Sequence, residues 1–117
     1  MKIDFLKAAA RIPSDQLEDL GPVGEPVGAP VSRLRGRVLY AGPDGAVEAG
    51  VWECSPGRWR RQVKQAEFCQ FLAGRCVFHA DSGQHLEIQA GDAVHFPANS
   101  MGTWEIIETV RKTYLTY

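Results

Sequence analysis

The feature that most constrains this chain is a run of short segments rich in Val, Tyr, Trp, Phe and Ile that begins near Arg33. Each segment is bounded by Gly, Pro, Asp or Asn, a pattern that predicts β-strands separated by turns. The predicted strands lie near residues 36–41, 47–54, 66–72, 74–80, 84–89, 93–97, 102–108 and 110–116. Turn sequences such as Gly-Pro-Asp-Gly at 42–45 connect them. Eight short strands with frequent turns predict an all-β fold, either an antiparallel sandwich or a barrel.

The first 35 residues lack this pattern. Residues 14–20 carry a capping pattern at Asp15 and Glu18 and are followed by Gly21, which predicts a short helix. Three glycines and three prolines within residues 21–30 predict a loop. We therefore expect two parts: an N-terminal arm, 1–35, with a short helical or irregular segment and a Gly/Pro-rich loop, and a β-barrel domain, 36–117.

The charge balance and hydropathy exclude several classes of partner. The chain has 13 basic and 14 acidic residues and a pI near 6.3, so no net positive field draws it to nucleic acid. Its apolar runs are far shorter than the roughly 20 residues that cross a bilayer. Asp4 and Lys7 interrupt the start of the chain where a signal peptide needs an apolar core. We expect a cytoplasmic protein that binds neither nucleic acid nor membrane.

The three cysteines, an odd number with no C-x-x-C pair, indicate neither a disulfide framework nor a zinc site. We expect Cys54, Cys69 and Cys76 to be small buried hydrophobic residues. A catalytic cysteine needs a nearby base, whereas the carboxylate of Glu67, two residues from Cys69, would raise a thiol pKa.

Two short motifs resemble those of the cupin superfamily. Glu67 followed after six residues by Gly74 resembles the end of the first cupin motif, and GDAVHFPANSMGTW at 91–104 resembles the second. With GVWECSPGRW, EFCQFLAGR and VRKTYLTY, the stretch 45–117 resembles the small single-domain cupins similar to (S)-ureidoglycine aminohydrolase and the ethanolamine-utilisation cupin. The resemblance implies the cupin double-stranded β-helix, a jelly-roll barrel whose interior holds the glutamate.

Metal-binding cupins place two histidines shortly before this glutamate and a third shortly after the strand-ending proline. Here the first two positions fall on Arg61 and Val63, or on Val63 and Gln65, and the third falls on Gly102. One carboxylate is too few for a site that needs three or four protein ligands, so we expect no metal cofactor. A metal-dependent cupin with displaced ligands is the alternative. The histidines are expected at the surface or rim of the barrel: His79, His85 and His95.

Alternation along the strands predicts the lining of the pocket. If Glu67 faces inward, Cys69 and Phe71 do too, and if Gly102 faces inward so does Trp104. We predict these ligand-binding residues: Glu67, Cys69, Phe71, Trp104 and Tyr114.

Among these, Glu67 is the candidate catalytic residue, because a desolvated carboxylate can act as a general base, a proton shuttle or a hydrogen-bond anchor. The alternative is that Glu67 pairs with Lys112 or an arginine and only fills a polar hole. Arg58, Arg60 and Arg61 are expected to be solvated, or else to admit an anionic ligand at the mouth.

The resemblance implies a cupin that binds a small molecule. The sequence leaves open whether it is also an enzyme, which would act on a small nitrogenous or carboxylate metabolite. The competing class is a non-catalytic structural or sensory module. A homodimer is also expected, because double-sheet folds leave strand edges and a loop-rich arm can pair across a two-fold axis.

Overall fold

Eight strands account for most of the computed structural model, which describes all residues from Met1 to Tyr117. The only helical element is a 3-10 turn at Ser14–Gln16. The strands, in chain order, are β1 (Glu18–Pro22), β2 (Arg33–Ala41), β3 (Glu48–Cys54), β4 (Gly57–Val63), β5 (Glu67–Ala80), β6 (His85–Gln89), β7 (Ala93–Phe96) and β8 (Ser100–Thr116). The prediction of an all-β jelly roll is confirmed. The structure contains no helix with the length and apolar character needed to cross a membrane.

The fold is organised around one long antiparallel pair, β5 and β8, which stay paired along nearly their whole length. On the other edge of β8, β3 pairs with residues 110–116 and β4 pairs with residues 100–106. On the other edge of β5, β7 pairs with residues 67–70 and β6 with residues 75–79. Register shifts between Phe71 and Cys76 bend the pair, so that each half belongs to a different layer of the sandwich.

Gly74 lies at this bend with a φ of +84°. A side chain there would collide with the backbone of Thr109 and Val110 on β8. Only glycine satisfies both the left-handed conformation and the close approach of the two strands. This explains why the two predicted segments 66–72 and 74–80 form one strand, and why 102–108 and 110–116 do as well: bulges turn the chain without ending it.

Two strands were not predicted. The prediction of a helix over residues 14–20 is wrong beyond Gln16, because Glu18–Pro22 pairs with Arg33–Gly36 as the edge strand β1. The sequence analysis does not predict β4, because it expects the arginines of this segment to be solvated. That interpretation is correct for Arg58, which is exposed, and wrong for Arg61, which is only 5% exposed.

The core lies between the two layers and contains all three cysteines together with Phe71, Phe78 and Trp104. The prediction that the cysteines are buried is confirmed. Burial raises the pKa of the thiols of Cys54 and Cys69 to about 11 and that of Cys76 to about 12.

The N-terminal arm packs on the outer face of β3 and β8. Glu53 and Arg111 form a buried ion pair there at 2.7 Å. Arm residues complete it: the Ser14 hydroxyl donates to Glu53, and Arg111 donates to the carbonyl oxygen of Ala9. Leu17 is buried beside this contact at 4% exposure, so the arm is held by both apolar and polar contacts.

Candidate functional site

Three ionised side chains from three strands meet inside the sandwich; we call Arg61, Glu67 and Lys112 the buried triad. Each is 5% exposed or less. Arg61 Nη2 lies 2.6 Å from Glu67 Oε1, and Lys112 Nζ lies 2.7 Å from Glu67 Oε2. Both carboxylate oxygens are therefore engaged, and the pairing considered as the alternative for Glu67 is present in the structure.

Strand register explains how these side chains meet. Alternation along β4 buries Gly57 and Arg61, while Arg58 and Gln62 point outward. Arg61 lies opposite Gly102 of β8, which has no side chain to occupy the adjoining space. Lys112 lies between Trp52 of β3 and Phe71 of β5, so its ammonium group reaches the interior from the middle of the sheet.

Electrostatics keep Glu67 ionised. Burial alone would raise the pKa of its carboxyl, but the charges and hydrogen bonds of Lys112 and Arg61 outweigh that effect and hold the pKa below the usual glutamate value. Burial lowers the pKa of Arg61, and Glu67 opposes the change. Two cations and one anion leave the triad with one excess positive charge.

Aromatic rings line the cations and replace part of the lost hydration. Lys112 Nζ lies 4.3 Å from the centroid of the Trp52 ring, and Arg61 Cζ lies 4.1 Å from that of Phe96. Such contacts contribute about 2 kcal/mol or more when desolvated. The interior is thus a cationic site enclosed by π systems.

A cavity of about 390 Å³ adjoins the triad and opens between β3 and β4; we call it the triad cavity. Of the residues predicted for the pocket, Glu67, Trp104 and Tyr114 line it. Cys69 and Phe71 face inward as predicted, at 1% exposure each, but lie in the core and not on the lining. The lining residues that sequence reasoning did not assign to the pocket are Leu20, Glu48, Trp52, Trp59, Arg60, Arg61, Gln62, Val63, Lys112 and Thr116.

Tyr114 and Glu48 form the polar wall of the triad cavity. The Tyr114 hydroxyl donates to Glu48 Oε2 at 2.7 Å. Burial raises the pKa of the Tyr114 hydroxyl, and Glu48 raises it further, so the phenol stays protonated. The hydrogen-bond partner of this half-buried tyrosine hydroxyl is thus a carboxylate from the neighbouring strand β3.

Three residues that line the triad cavity carry buried donors with no partner: Nε1 of Trp59, Nη1 of Arg61 and Nε1 of Trp104. Buried polar groups are nearly always hydrogen-bonded, and a buried polar group without a partner costs about 1–3 kcal/mol. All three groups can only donate. A ligand that satisfies them must supply acceptor oxygens or nitrogens.

A second cavity, of about 630 Å³, opens on the opposite side, between β6 and β7. Its lining includes the apolar side chains of Leu86, Val94 and Met101. Its ionisable groups already have partners: Asp81 accepts from Arg60, and His95 bonds the Tyr117 hydroxyl at 2.8 Å. The unsatisfied donors therefore favour the smaller triad cavity as the functional site.

The residues around Glu67 do not fit a divalent metal ion. The positions that would supply histidines hold Arg61, Val63 and Gly102, and Glu67 already has two cationic partners. A metal ion there would meet one carboxylate and two positive charges, where three or four ligands are needed. A side chain at Gly102 would also collide with the ring of Phe78.

Comparison with known proteins fixes the family. The sequence profile of the EutQ-like cupin domain matches residues 41–114. The chain belongs to the EutQ-like cupin family. No match was found among curated proteins. The resemblance to (S)-ureidoglycine aminohydrolase stays a prediction.

Solved structures with the same fold share little sequence with this EutQ-like cupin. A DUF861 protein of unknown function from Pseudomonas syringae pv. tomato has a TM-score of 0.76 and 24% identity over 86% of this chain, which spans only 44% of that one. A putative ethanolamine utilisation protein Q from Salmonella typhimurium has a TM-score of 0.63 and 20% identity, covering 73% of this chain and 69% of its own. A DUF1255 protein of unknown function from Acidithiobacillus ferrooxidans has a TM-score of 0.61 and 21% identity, covering 94% of this chain and 98% of its own. These similarities establish the fold alone.

Proposed function

We propose that this EutQ-like cupin binds a small metabolite carrying a carboxylate or an amide-type carbonyl in the triad cavity. The observation that carries the proposal is the set of three unsatisfied donors, Trp59 Nε1, Arg61 Nη1 and Trp104 Nε1, on residues that line this cavity. A carboxylate offers these donors two oxygens, each able to accept more than one hydrogen bond, and the excess positive charge of the triad favours an anion over a neutral ligand.

The size and walls of the cavity narrow the class of ligand. A volume of about 390 Å³ suits a small metabolite rather than a polymer or a nucleotide cofactor. Trp52 and Trp59 lie on the wall with ring centroids 6.3 Å apart. They provide flat apolar contact for the part of the ligand that does not carry the acceptor.

Glu67 is better suited to positioning than to proton transfer. Both of its oxygens accept hydrogen bonds from cations, and its lowered pKa makes it a weak base at neutral pH. We therefore assign Glu67 the role of holding Arg61 and Lys112 in place. Binding, with or without a subsequent reaction, requires no more than this.

Isothermal titration calorimetry with acetate, oxamate, acetamide and urea tests the proposal, and tetramethylammonium serves as a cation of similar size. We expect the carboxylates to bind most tightly, the neutral carbonyl compounds more weakly, and the cation not at all. Small acids extracted from purified protein and identified by mass spectrometry would name the natural ligand.

The matched variants are Arg61→Lys and Arg58→Lys, two arginines of the same strand. Arg61→Lys keeps the charge beside Glu67 but removes the Nη1 donor, so we expect at least tenfold weaker binding of the carboxylate. Arg58 is exposed, lies outside the triad cavity and pairs with Glu105, so its variant should bind within twofold of wild type. Equal loss in both variants, or no binding of any carboxylate or carbonyl compound, would refute the proposal and favour a structural module.

A further inference from the structure

Two histidines face each other on the outer surface, away from the triad cavity. His79 of β5 and His85 of β6 are directly opposite in the antiparallel register. Their Nδ1 atoms are 2.7 Å apart, and their ring planes cross at 82°. His79 is partly exposed and His85 is exposed, whereas the neighbouring Phe78 packs in the core on the opposite face.

A carboxylate fixes the tautomer of His79. Its Nε2 lies 2.9 Å from Glu105 Oε1, and Glu105 also accepts from Arg58 at 3.3 Å. The carboxylate of Glu105, paired with Arg58, has only acceptor oxygens to offer His79. In neutral His79 the proton therefore sits on Nε2, and the lone pair of Nδ1 points toward His85.

This arrangement matches how proteins present histidine to a metal ion. A metal-binding imidazole commonly donates its other N–H to a carboxylate, which orients the ring and increases its basicity. Here Glu105 occupies that position relative to His79. Without a metal ion, the short contact between the two Nδ1 atoms requires His85 to supply the proton that lies between them.

We propose that His79 and His85 chelate a divalent transition metal ion through their Nδ1 atoms, with Glu105 as the positioning residue behind His79. With metal–nitrogen bonds of about 2.0–2.1 Å, two ligands at right angles are about 2.9 Å apart and two tetrahedral ligands about 3.4 Å apart. The distance of 2.7 Å between the two Nδ1 atoms suits adjacent ligand positions around a square-planar or octahedral ion. A tetrahedral ion would require the two histidines to move further apart.

The chemistry of the site selects Ni²⁺ or Cu²⁺. Imidazole nitrogen suits these ions, and both accept tetragonal geometry, whereas Mg²⁺ prefers an octahedron of oxygen ligands. When the metal binds, the proton of His85 moves from Nδ1 to the other ring nitrogen, which leaves the ring neutral. Water completes the coordination, since the protein supplies two ligands.

Titration calorimetry of the full chain with NiCl2 tests this proposal, and the third histidine of the chain provides the matched control. We expect one Ni²⁺ per chain and no binding of Mg²⁺. His79→Gln and His85→Gln should each weaken Ni²⁺ binding at least tenfold. His95→Gln, on β7 in the other layer, should bind within twofold of wild type.

Glu105→Gln separates positioning from direct ligation. We expect it to weaken Ni²⁺ binding about tenfold while the stoichiometry is unchanged, because a residue behind the ligands affects affinity by about 10–100-fold. Paramagnetic broadening of the imidazole proton signals of His79 and His85, and not those of His95, gives a readout independent of affinity. Unchanged Ni²⁺ binding in His79→Gln or His85→Gln, broadening centred on His95, or no Ni²⁺ binding to wild type would overturn the proposal. Thermal melting without metal shows that the variants fold.

Discussion

Replacing Glu67 with glutamine tests the electrostatics of the buried triad. The variant keeps the shape of the side chain but removes the only negative charge between Arg61 and Lys112, which raises the net charge of the triad from +1 to +2. Both cations are 5% exposed or less, so solvent screens them poorly. Removing one partner of a buried ion pair costs about 3–5 kcal/mol. For a domain of this size that is a decrease of about 10 to 25 °C in the melting temperature.

The assay is urea denaturation followed by tryptophan fluorescence, with Glu108→Gln as the matched control. Glu108 pairs with Arg75 at 3.0 Å, but both side chains are more than half exposed, so the control should lose at most about 1 kcal/mol.

A second variant checks the cause. Adding Lys112→Met to Glu67→Gln removes one of the two cations and returns the charge to +1, and Met also fills the space among Trp52 and Phe71. The double variant should therefore be more stable than Glu67→Gln alone. Two results would contradict this explanation: a free energy of unfolding of Glu67→Gln within about 1 kcal/mol of the wild-type value, or a double variant that is less stable than Glu67→Gln.

Three further predictions follow from the structure. The pKa of Glu67 is lower in the folded protein than its ordinary value of 4.5. Its contribution to stability is therefore complete above pH 4.5 and is lost as the pH falls below that value. In urea titrations between pH 6 and 3, Glu67→Gln should lose less stability than the wild type does. Gly102→Ala should lower the free energy of unfolding by about 1–3 kcal/mol, because the added methyl group meets the ring of Phe78. Gly24→Ala, the control, has open space around the added methyl group and should not lower it. Equal effects of the two substitutions would contradict the prediction. Light scattering should give a homodimer at micromolar concentration, since β1 is an unpaired edge; a mass near 12.9 kDa would exclude it.

Period-two alternation was enough to predict from sequence which residues of β5 and β8 face the interior. Glu67, Cys69 and Phe71 follow each other on the buried face of β5, and Trp104 follows Gly102 on that of β8. The all-β fold and the turns, including those at Gly74 and Gly91, also follow from local sequence patterns. These features depend only on neighbouring residues, so sequence reveals them.

The cationic half of the site could not be predicted in the same way. Arg61 alternates inward like its neighbours Gly57 and Trp59, but adjacent arginines hid the strand pattern of β4. Lys112 meets Glu67 only because β8 lies between β3 and β5 in a register set by bulges. Long-range register depends on the whole sheet, and so the pairing of Glu67 with two cations needed a structure.

The two walls of the triad cavity, β3 and β4, are attached to the same edge of β8, one on each side of its bend. Their separation is therefore set by the angle of that bend and not by contacts between two independent layers. A substitution near Gly74 or Thr109 can widen or narrow the opening without altering any residue that lines the cavity. The shape of the cavity can thus change through the curvature of one strand pair while the chemistry of its lining stays the same.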